Sequence, residues 1–308
     1  MKRRAGTRAF LAQARNMPDS NWIDVAHGYV YGRWPYHYIG IALGEHWLAR
    51  AYVWLQERLS PLARIFPSRK RDAQDSGTFA DGYHGKVVPL ESAKQLVAVN
   101  EDVELRDLEN IIPFETARDI VFQNPDHIVV LDCPCRASRP DGCQPLDVCL
   151  VIGEPFASFV AENHPQRSRW IGAQEAADIL QAEDERGHVH HAFFKDAMLG
   201  RFYAICNCCS CCCGAMQANR HGTPMSISSG YVCQMDEEAC IGCGMCEEIC
   251  PFGAITSPDG AQQIDQAVCM GCGICVSACD QEALTLVRDA SRPEPLIINE
   301  LIRQATDR

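Results

Sequence analysis

One spacing limits this chain more than any other feature. The pattern C-x2-C-x2-C-x3-C occurs at Cys240, Cys243, Cys246 and Cys250, and again at Cys269, Cys272, Cys275 and Cys279, each cysteine 29 residues after its counterpart. The flanks repeat as well, with PFGAIT after the first copy and DQEALTL after the second. A duplicated half-domain accounts for both observations. In all, the 308 residues carry 19 cysteines. A disulfide framework suits short secreted domains that cannot build a core. This chain has an odd cysteine count and length enough for two or three domains. Its first residues, MKRRAGTRAFLAQAR, lack the apolar run of a signal peptide. Thiolate–metal chemistry in a reducing cytoplasm is the expectation.

The duplicated spacing has a chemical reason. Three thiolates on one tight loop reach three irons of a single 4Fe–4S cube; the fourth lies beyond the loop at the start of a helix and completes the other cube. The expected sets are therefore crossed: Cys240, Cys243, Cys246 and Cys279 for one cube, Cys269, Cys272, Cys275 and Cys250 for the other. Gly242, Gly244, Gly271 and Gly273 stand between the ligands, where a wrapping loop needs positive φ and close approach of N–H groups to sulfur. Zinc knuckles would also use C-x2-C pairs, but the duplicated three-plus-one spacing does not match them. Residues 231–289 resemble a bacterial-type ferredoxin with two 4Fe–4S clusters, with all eight ligand positions filled. Asp280 stands where that family usually has a second proline. The resemblance implies a two-fold dicluster fold and one-electron transfer, and the acidic surroundings bias the potentials downward.

Ten further cysteines lie upstream and Cys233 lies outside every motif, which reads as a packed free thiol. Cys133, Cys135, Cys143 and Cys149 fall in CPCRASRPDGCQPLDVC; Cys206, Cys208, Cys209, Cys211, Cys212 and Cys213 fall in CNCCSCCC. On extended chain Cys206 and Cys208 face one side, Cys209 and Cys211 the other, so one cube cannot take all six. The preferred arithmetic is one cluster on Cys133, Cys135, Cys143 and Cys149 and another on four of the dense run. This makes one or two additional iron–sulfur clusters. Mixed ligation between the groups, a non-cubane cluster, a structural zinc site and a metallothionein-like thiolate knot stay open. Arg136 follows the CxC and is a candidate for tuning a bound cluster; a surface ion pair is its bland alternative. His188 and His190 share a strand face and could be ligands, proton donors or ordinary packing. The pattern CxCR followed by CNCCxCCC resembles an uncharacterised group of cysteine-rich iron–sulfur proteins with C-terminal ferredoxin modules, which implies redox work.

The expected fold is α+β overall. Residues 1–75 form a basic, aromatic, mainly helical segment and residues 76–88 a Gly-rich linker. Residues 89–220 form a small α/β module with Cys-rich loops. Residues 231–289 are the dicluster domain, and 290–308 a tail ending in a short helix. Within 89–220, PFETARDIVFQN (113–124) and AQEAADILQAEDE (173–185) read as helices; HIVVLDC, HVHHAFF and RFYAIC read as strands, with cysteines leaving parallel strands at one end of a sheet.

Charge separates the two ends. Residues 1–75 hold 12 Lys and Arg against 6 Asp and Glu, whereas no Lys or Arg occurs between Arg220 and Arg288 in a chain of net charge −12. An acidic body excludes nucleic acid as the expected partner and suits a redox partner with a basic docking face. No transmembrane segment is expected. The N-terminal Trp, Tyr and Arg residues fit peripheral membrane contact, partner docking or packing on the chain's own α/β module. With no GxGxxG after a strand, no Walker A and no GxSxG, an electron-transfer protein of anaerobic metabolism, polyferredoxin-like, is the first functional expectation. The alternatives are an iron–sulfur reductase whose upstream cluster is the active site fed by the ferredoxin domain, and metal storage or assembly.

Overall fold

A computed structural model describes residues 4–17, 22–49, 51, 54, 79–106, 108–114, 116–258 and 262–306. The strands in chain order are β1 (Tyr83–Val87), β2 (Val103–Leu105), β3 (Ile120–Phe122), β4 (Ile128–Asp132), β5 (Asp147–Ile152), β6 (Ser168–Ile171), β7 (Val189–Lys195), β8 (Arg201–Cys208), β9 (Ser226–Ile227), β10 (Tyr231–Met235), β11 (Ile255–Thr256), β12 (Gln263–Ile264) and β13 (Leu284–Arg288). Seven of them form one sheet in the order β6-β4-β5-β8-β7-β1-β9. Its neighbours are antiparallel except β1 and β9.

This corrects the expectation of parallel strands, and the reason is local. Residues 196–200 join β7 to β8, too short for anything but an antiparallel pair, and the helical connection after β5 passes over β4, so that β6 pairs antiparallel with β4 and not parallel with β5. One consequence of the expected arrangement survives in another way. β4 and β8 both pair antiparallel with β5, so they point the same way. The chain therefore leaves β4 at Cys133 and ends β8 at Cys208 on one edge of the sheet, with Cys149 near the start of β5 between them.

Two other expectations change. The described residues of 113–124 form no helix: Ile120, Val121 and Phe122 make β3, paired with β2. The Phe202 N–H also bonds the Asp119 carbonyl (2.8 Å). A run of β-branched and aromatic residues prefers this extended, half-buried position. Nor are residues 83–87 a linker. They form β1, held between β7 and β9. The polar look of YHGKV is misleading because its polar groups are buried with partners: Lys86 Nζ donates to the carbonyls of Glu294 (2.8 Å) and Ile111 (3.2 Å), and the His84 ring, stacked on Phe114, bonds the Ala80 carbonyl. The helix at Ala173–Glu185 forms as expected, ending at Gly187 with φ 77°.

Alternation along the central strands sorts their side chains onto two faces. Val130, Leu150, Ile152, Ala192, Phe194, Phe202 and Ile205 pack on one face with residues of Leu90–Val97, Ala173–Glu185 and the C-terminal helix Ile298–Thr306. Val129, Leu131, Cys133, Cys149, Val151, Tyr203 and Cys208 pack on the other. That second face is covered by N-terminal helices Ala5–Arg15, Trp22–Arg33 and Pro35–Ala42, by Phe156–Asn163 and by Gly214–Arg220.

Of the three alternatives for the aromatic N-terminus, internal packing describes its tyrosines. Phe10 stacks on Phe159 at 4.6 Å, Tyr31 bonds Tyr203 (2.7 Å), and the Tyr36 hydroxyl donates to the Asp132 carbonyl (3.0 Å). Gly32 lies so close to Phe159 that a Cβ would fall on its ring. The tryptophans differ: Trp22, Trp34, Trp47 and Trp54 are exposed. Tyr52, Arg50 and Arg58 lie outside the described residues. No helix among the described residues is long and apolar enough to cross a membrane.

The C-terminal lobe is small. β10 pairs with β13 and β11 with β12 around Val232, Cys233, Ala254, Ile255 and Leu284. It rests directly on the main sheet domain. The Ser229 N–H bonds the Met270 carbonyl (3.1 Å), Arg220 reaches the Pro251 carbonyl (3.0 Å), and Ile249 packs where Gly187 has no side chain.

Candidate metal centres

In the C-terminal lobe each motif wraps a loop and then starts a short helix, Met245–Ile249 or Ile274–Ser277. Gly242, Gly244, Gly271 and Gly273 have φ of 69°, 82°, 64° and 90°, the left-handed backbone that a Cβ disfavours. At Gly271 a Cβ would also fall on the Tyr231 carbonyl and Ser229 Oγ. Two cavities result, each of about 20 Å³. One is lined by Cys240, Cys243, Cys246 and Cys279, the other by Cys250, Cys269, Cys272 and Cys275. The fourth cysteine of each motif thus faces the other motif's loop.

Backbone donors already point at sulfur: Ala254 N–H toward Cys250 Sγ (3.3 Å) and Cys233 N–H toward Cys269 Sγ (3.4 Å). This donor set fits an iron–sulfur cube in each cavity, since a cube needs four thiolates and amide N–H groups around its sulfurs. Cys233, which the sequence reads as a packed free thiol, is buried and lines the second cavity with its thiol 3.5 Å from Cys275 Sγ. The signal for it was weak: it lies in a strand, seven residues before the first motif.

Residues 234–256 and 263–285 each match the family described as 4Fe-4S binding domain. The C-terminal lobe is a ferredoxin-type module. No curated protein matches the chain. The matches lie within residues 234–285, about a sixth of the 308 residues, so the rest must be read from its own chemistry.

The upstream cysteines converge on one edge of the main sheet. A cavity of about 420 Å³ lies there, lined by Cys133, Cys135, Cys149, Cys206, Cys208, Cys209, Cys212 and Cys213. Its opposite wall is apolar and aromatic, with Tyr31, Tyr38, Tyr83, Tyr203, Phe193 and Met198. Six of the thiols influence one another's ionisation in series: Cys206 and Cys149, Cys149 and Cys133, Cys133 and Cys135, Cys135 and Cys213, and Cys213 and Cys208. The hydrogen bond with Cys135, then burial, push the Cys133 thiol up to about 12. Thiols crowded in this way ionise together only if cations share the site, and soft thiolate sets select iron–sulfur clusters or zinc.

The expected grouping of Cys133, Cys135, Cys143 and Cys149 is not the one assembled. Cys143 lies on the far side of the loop and meets Cys209, Cys211 and Cys212 instead. Strand alternation explains the split. Cys206 and Cys208 project from β8 onto the chamber face, the turn after β8 carries Cys211 outward to Cys143, and Cys209 and Cys212 border both groups.

Arg136 is fully buried and is not a surface pair. Its guanidinium pairs with Glu183 (2.6 Å) and donates to the carbonyls of Pro145 (2.6 Å) and Asn207 (2.9 Å). It thereby ties the CxC turn, the Cys143 loop, β8 and the helix Ala173–Glu185 together at the edge of the chamber. Burial alone would raise the Glu183 carboxyl, but His188 and Arg136 outweigh it and hold it below the usual range. His188 bonds Glu183 (2.7 Å) and His190 bonds Asn207 (2.6 Å). Both imidazoles therefore brace the polar network behind the cysteines.

Proposed function

We propose that this chain is an iron–sulfur electron-transfer protein in which the ferredoxin module serves the upstream cysteine chamber. The observation that carries the reading is the contact between the two. Cys272 and Ile274, from the loop of the interior quartet, belong to the same continuous core as Cys133, Cys149, Cys208 and Cys213. The quartet of Cys240, Cys243, Cys246 and Cys279 lies at the other end, where Cys243 is exposed beside Ile241 and Met245. The module thus has a solvent end and an interior end.

Bound in these quartets, iron–sulfur cubes supply one-electron transfer. The chain's residues do the rest. Backbone N–H groups hold the sulfurs, and apolar packing of Ile274 and Phe252 keeps water from the inner junction. The absence of cations between Arg220 and Arg288 leaves the outer face acidic, suited to a partner with a basic docking face.

The reductase alternative has one specific observation in its favour. The upstream chamber is about 420 Å³, against about 20 Å³ for each ferredoxin cavity. A tyrosine-walled chamber of that size has room for a small molecule beside a thiolate-bound group.

The test uses the full chain purified without oxygen. Iron and acid-labile sulfide should exceed the roughly eight of each that two cubes contain, and dithionite should bleach the visible spectrum in more than one phase. Colourless protein, or iron limited to the module, sinks the reading. Cyanide or carbon monoxide added to the reduced protein perturbs the upstream paramagnetic signals if the chamber is an open reaction site, and leaves them unchanged if it is only a relay.

A further inference from the structure

We propose that Cys143, Cys209, Cys211 and Cys212 bind one zinc ion, separate from every iron–sulfur site. Their four Sγ atoms all lie within 4.8 Å of one another. Cys143 and Cys211 are 3.0 Å apart, Cys211 and Cys212 3.6 Å. Tetrahedral zinc with Zn–S bonds of about 2.3 Å places its sulfurs about 3.8 Å apart. A cube puts each thiolate on a different iron, so its four sulfurs must stand farther from one another than sulfurs sharing a single atom. The chain supplies its own control. Among the described residues, this is the one group of three or more His, Cys, Asp or Glu ligand atoms that draws so close. The two ferredoxin quartets do not, although each encloses a cavity.

The surroundings match a structural ion. The Cys143 N–H points at Cys212 Sγ (3.5 Å), the kind of outer donor that offsets thiolate charge. Gln217 Nε2 donates to the Cys211 carbonyl (2.7 Å) and Arg220 to the Ser210 carbonyl (3.0 Å), which fixes the turn that carries three of the ligands. All four positions are taken by protein, as in zinc sites that hold a fold together and not in those that keep a coordination position open. The ion would staple the turn after β8 to the loop before β5. It would also settle the upstream arithmetic: of the eight cysteines that line the chamber, Cys209 and Cys212 would go to the ion, and Cys133, Cys135, Cys149, Cys206, Cys208 and Cys213 would remain for the chamber.

The test is zinc analysis of full-length protein from iron-replete, anaerobic growth, so that zinc does not enter cube sites for want of iron. The expected result is about one zinc per chain, with an X-ray absorption edge fitted by four sulfurs at about 2.3 Å. Cys211 is exposed, so Cys211→Ser should lower zinc at least tenfold while leaving iron unchanged; Cys143→Ser should do the same. Absence of zinc, zinc bound through nitrogen or oxygen, or loss of about four irons in Cys211→Ser with zinc unaffected would each overturn the proposal. Should both variants fail to fold, the absorption fit on unaltered protein decides alone.

Discussion

The ferredoxin module and the upstream chamber solve the same problem, gathering thiolates, by opposite routes. In the module each quartet takes three cysteines from one short loop and one from the other copy. The chamber gathers its cysteines from the ends of β4, β5 and β8 and from the turns that follow. The first design needs little else, and its core is a handful of residues. The second depends on a seven-stranded sheet, a buried Arg136–Glu183 pair and a roof of N-terminal helices. Loop-built sites are local and travel with their sequence, whereas sheet-built sites exist only once the domain has folded.

The largest effect that could break this comparison concerns the crossed quartets. Cys250→Ser belongs to the first motif but should delete the same paramagnetic signal as Cys272→Ser, and Cys279→Ser the same signal as Cys243→Ser. Each should remove about four of the module's roughly eight irons and leave the upstream iron in place. If Cys250→Ser groups with Cys243→Ser, the assignment by cavity is wrong.

Next comes the scaffold that the chamber needs and the module does not. Arg136→Met removes the buried guanidinium and leaves Glu183 with Arg186 (3.0 Å) and His188 (2.7 Å) alone; it should cost up to about 3 kcal/mol, less than a wholly unpartnered buried charge would, read as a lower denaturant midpoint for the sheet domain. Restoring neutrality with Glu183→Leu in the same chain should recover much of it. Acid should act on this pair as well. The Glu183 carboxyl is depressed in the folded state, so its stabilisation is present above the ordinary carboxylate range and is lost as pH falls through the depressed value.

A smaller effect lies at β1. Burial, aided by the charge of Arg288, lowers the Lys86 ammonium to about 7. Between about 7 and the ordinary value of 10.5 the unfolded chain binds the proton and the folded chain does not, so stability should rise with pH across that window. The slope reaches about 1.4 kcal/mol per pH unit and should vanish in Lys86→Met, as measured by denaturant melts at pH 7, 8 and 9.

The smallest effect sharpens the module's side. Cys233→Ala should leave the iron count unchanged, because the second cavity has four other cysteines. With Cys275 ionised, the Cys233 thiol donates to it, which favours the more negative reduced state. Its loss should therefore move one midpoint potential slightly downward in a spectroelectrochemical titration.

Legibility in the sequence followed the same division. The module could be read because spacing alone sorts its eight cysteines into two cavities, and the glycines between them take the positive φ the pattern demands. Upstream, Cys143 looked like a partner of Cys133 because it lies ten residues away, yet a loop turns it toward Cys211. Nothing local announces a contact across 68 residues. β1 was hidden because His84 and Lys86 are polar residues whose partners, Ala80, Ile111 and Glu294, appear only in three dimensions. β3 was misread because Pro113 and the apolar spacing of 113–124 imitate a helix start. The helix at Ala173–Glu185 was legible because its apolar stripe and its Gly187 stop agree with each other.

The roof of the chamber has a consequence in time. Tyr31, Pro35, Tyr38 and Leu43 cover cysteines that follow them by at least ninety residues, so the ribosome releases the cover well before the vessel it closes. On the proposed function, metal and sulfide would reach these cysteines most directly before the first helices dock across them.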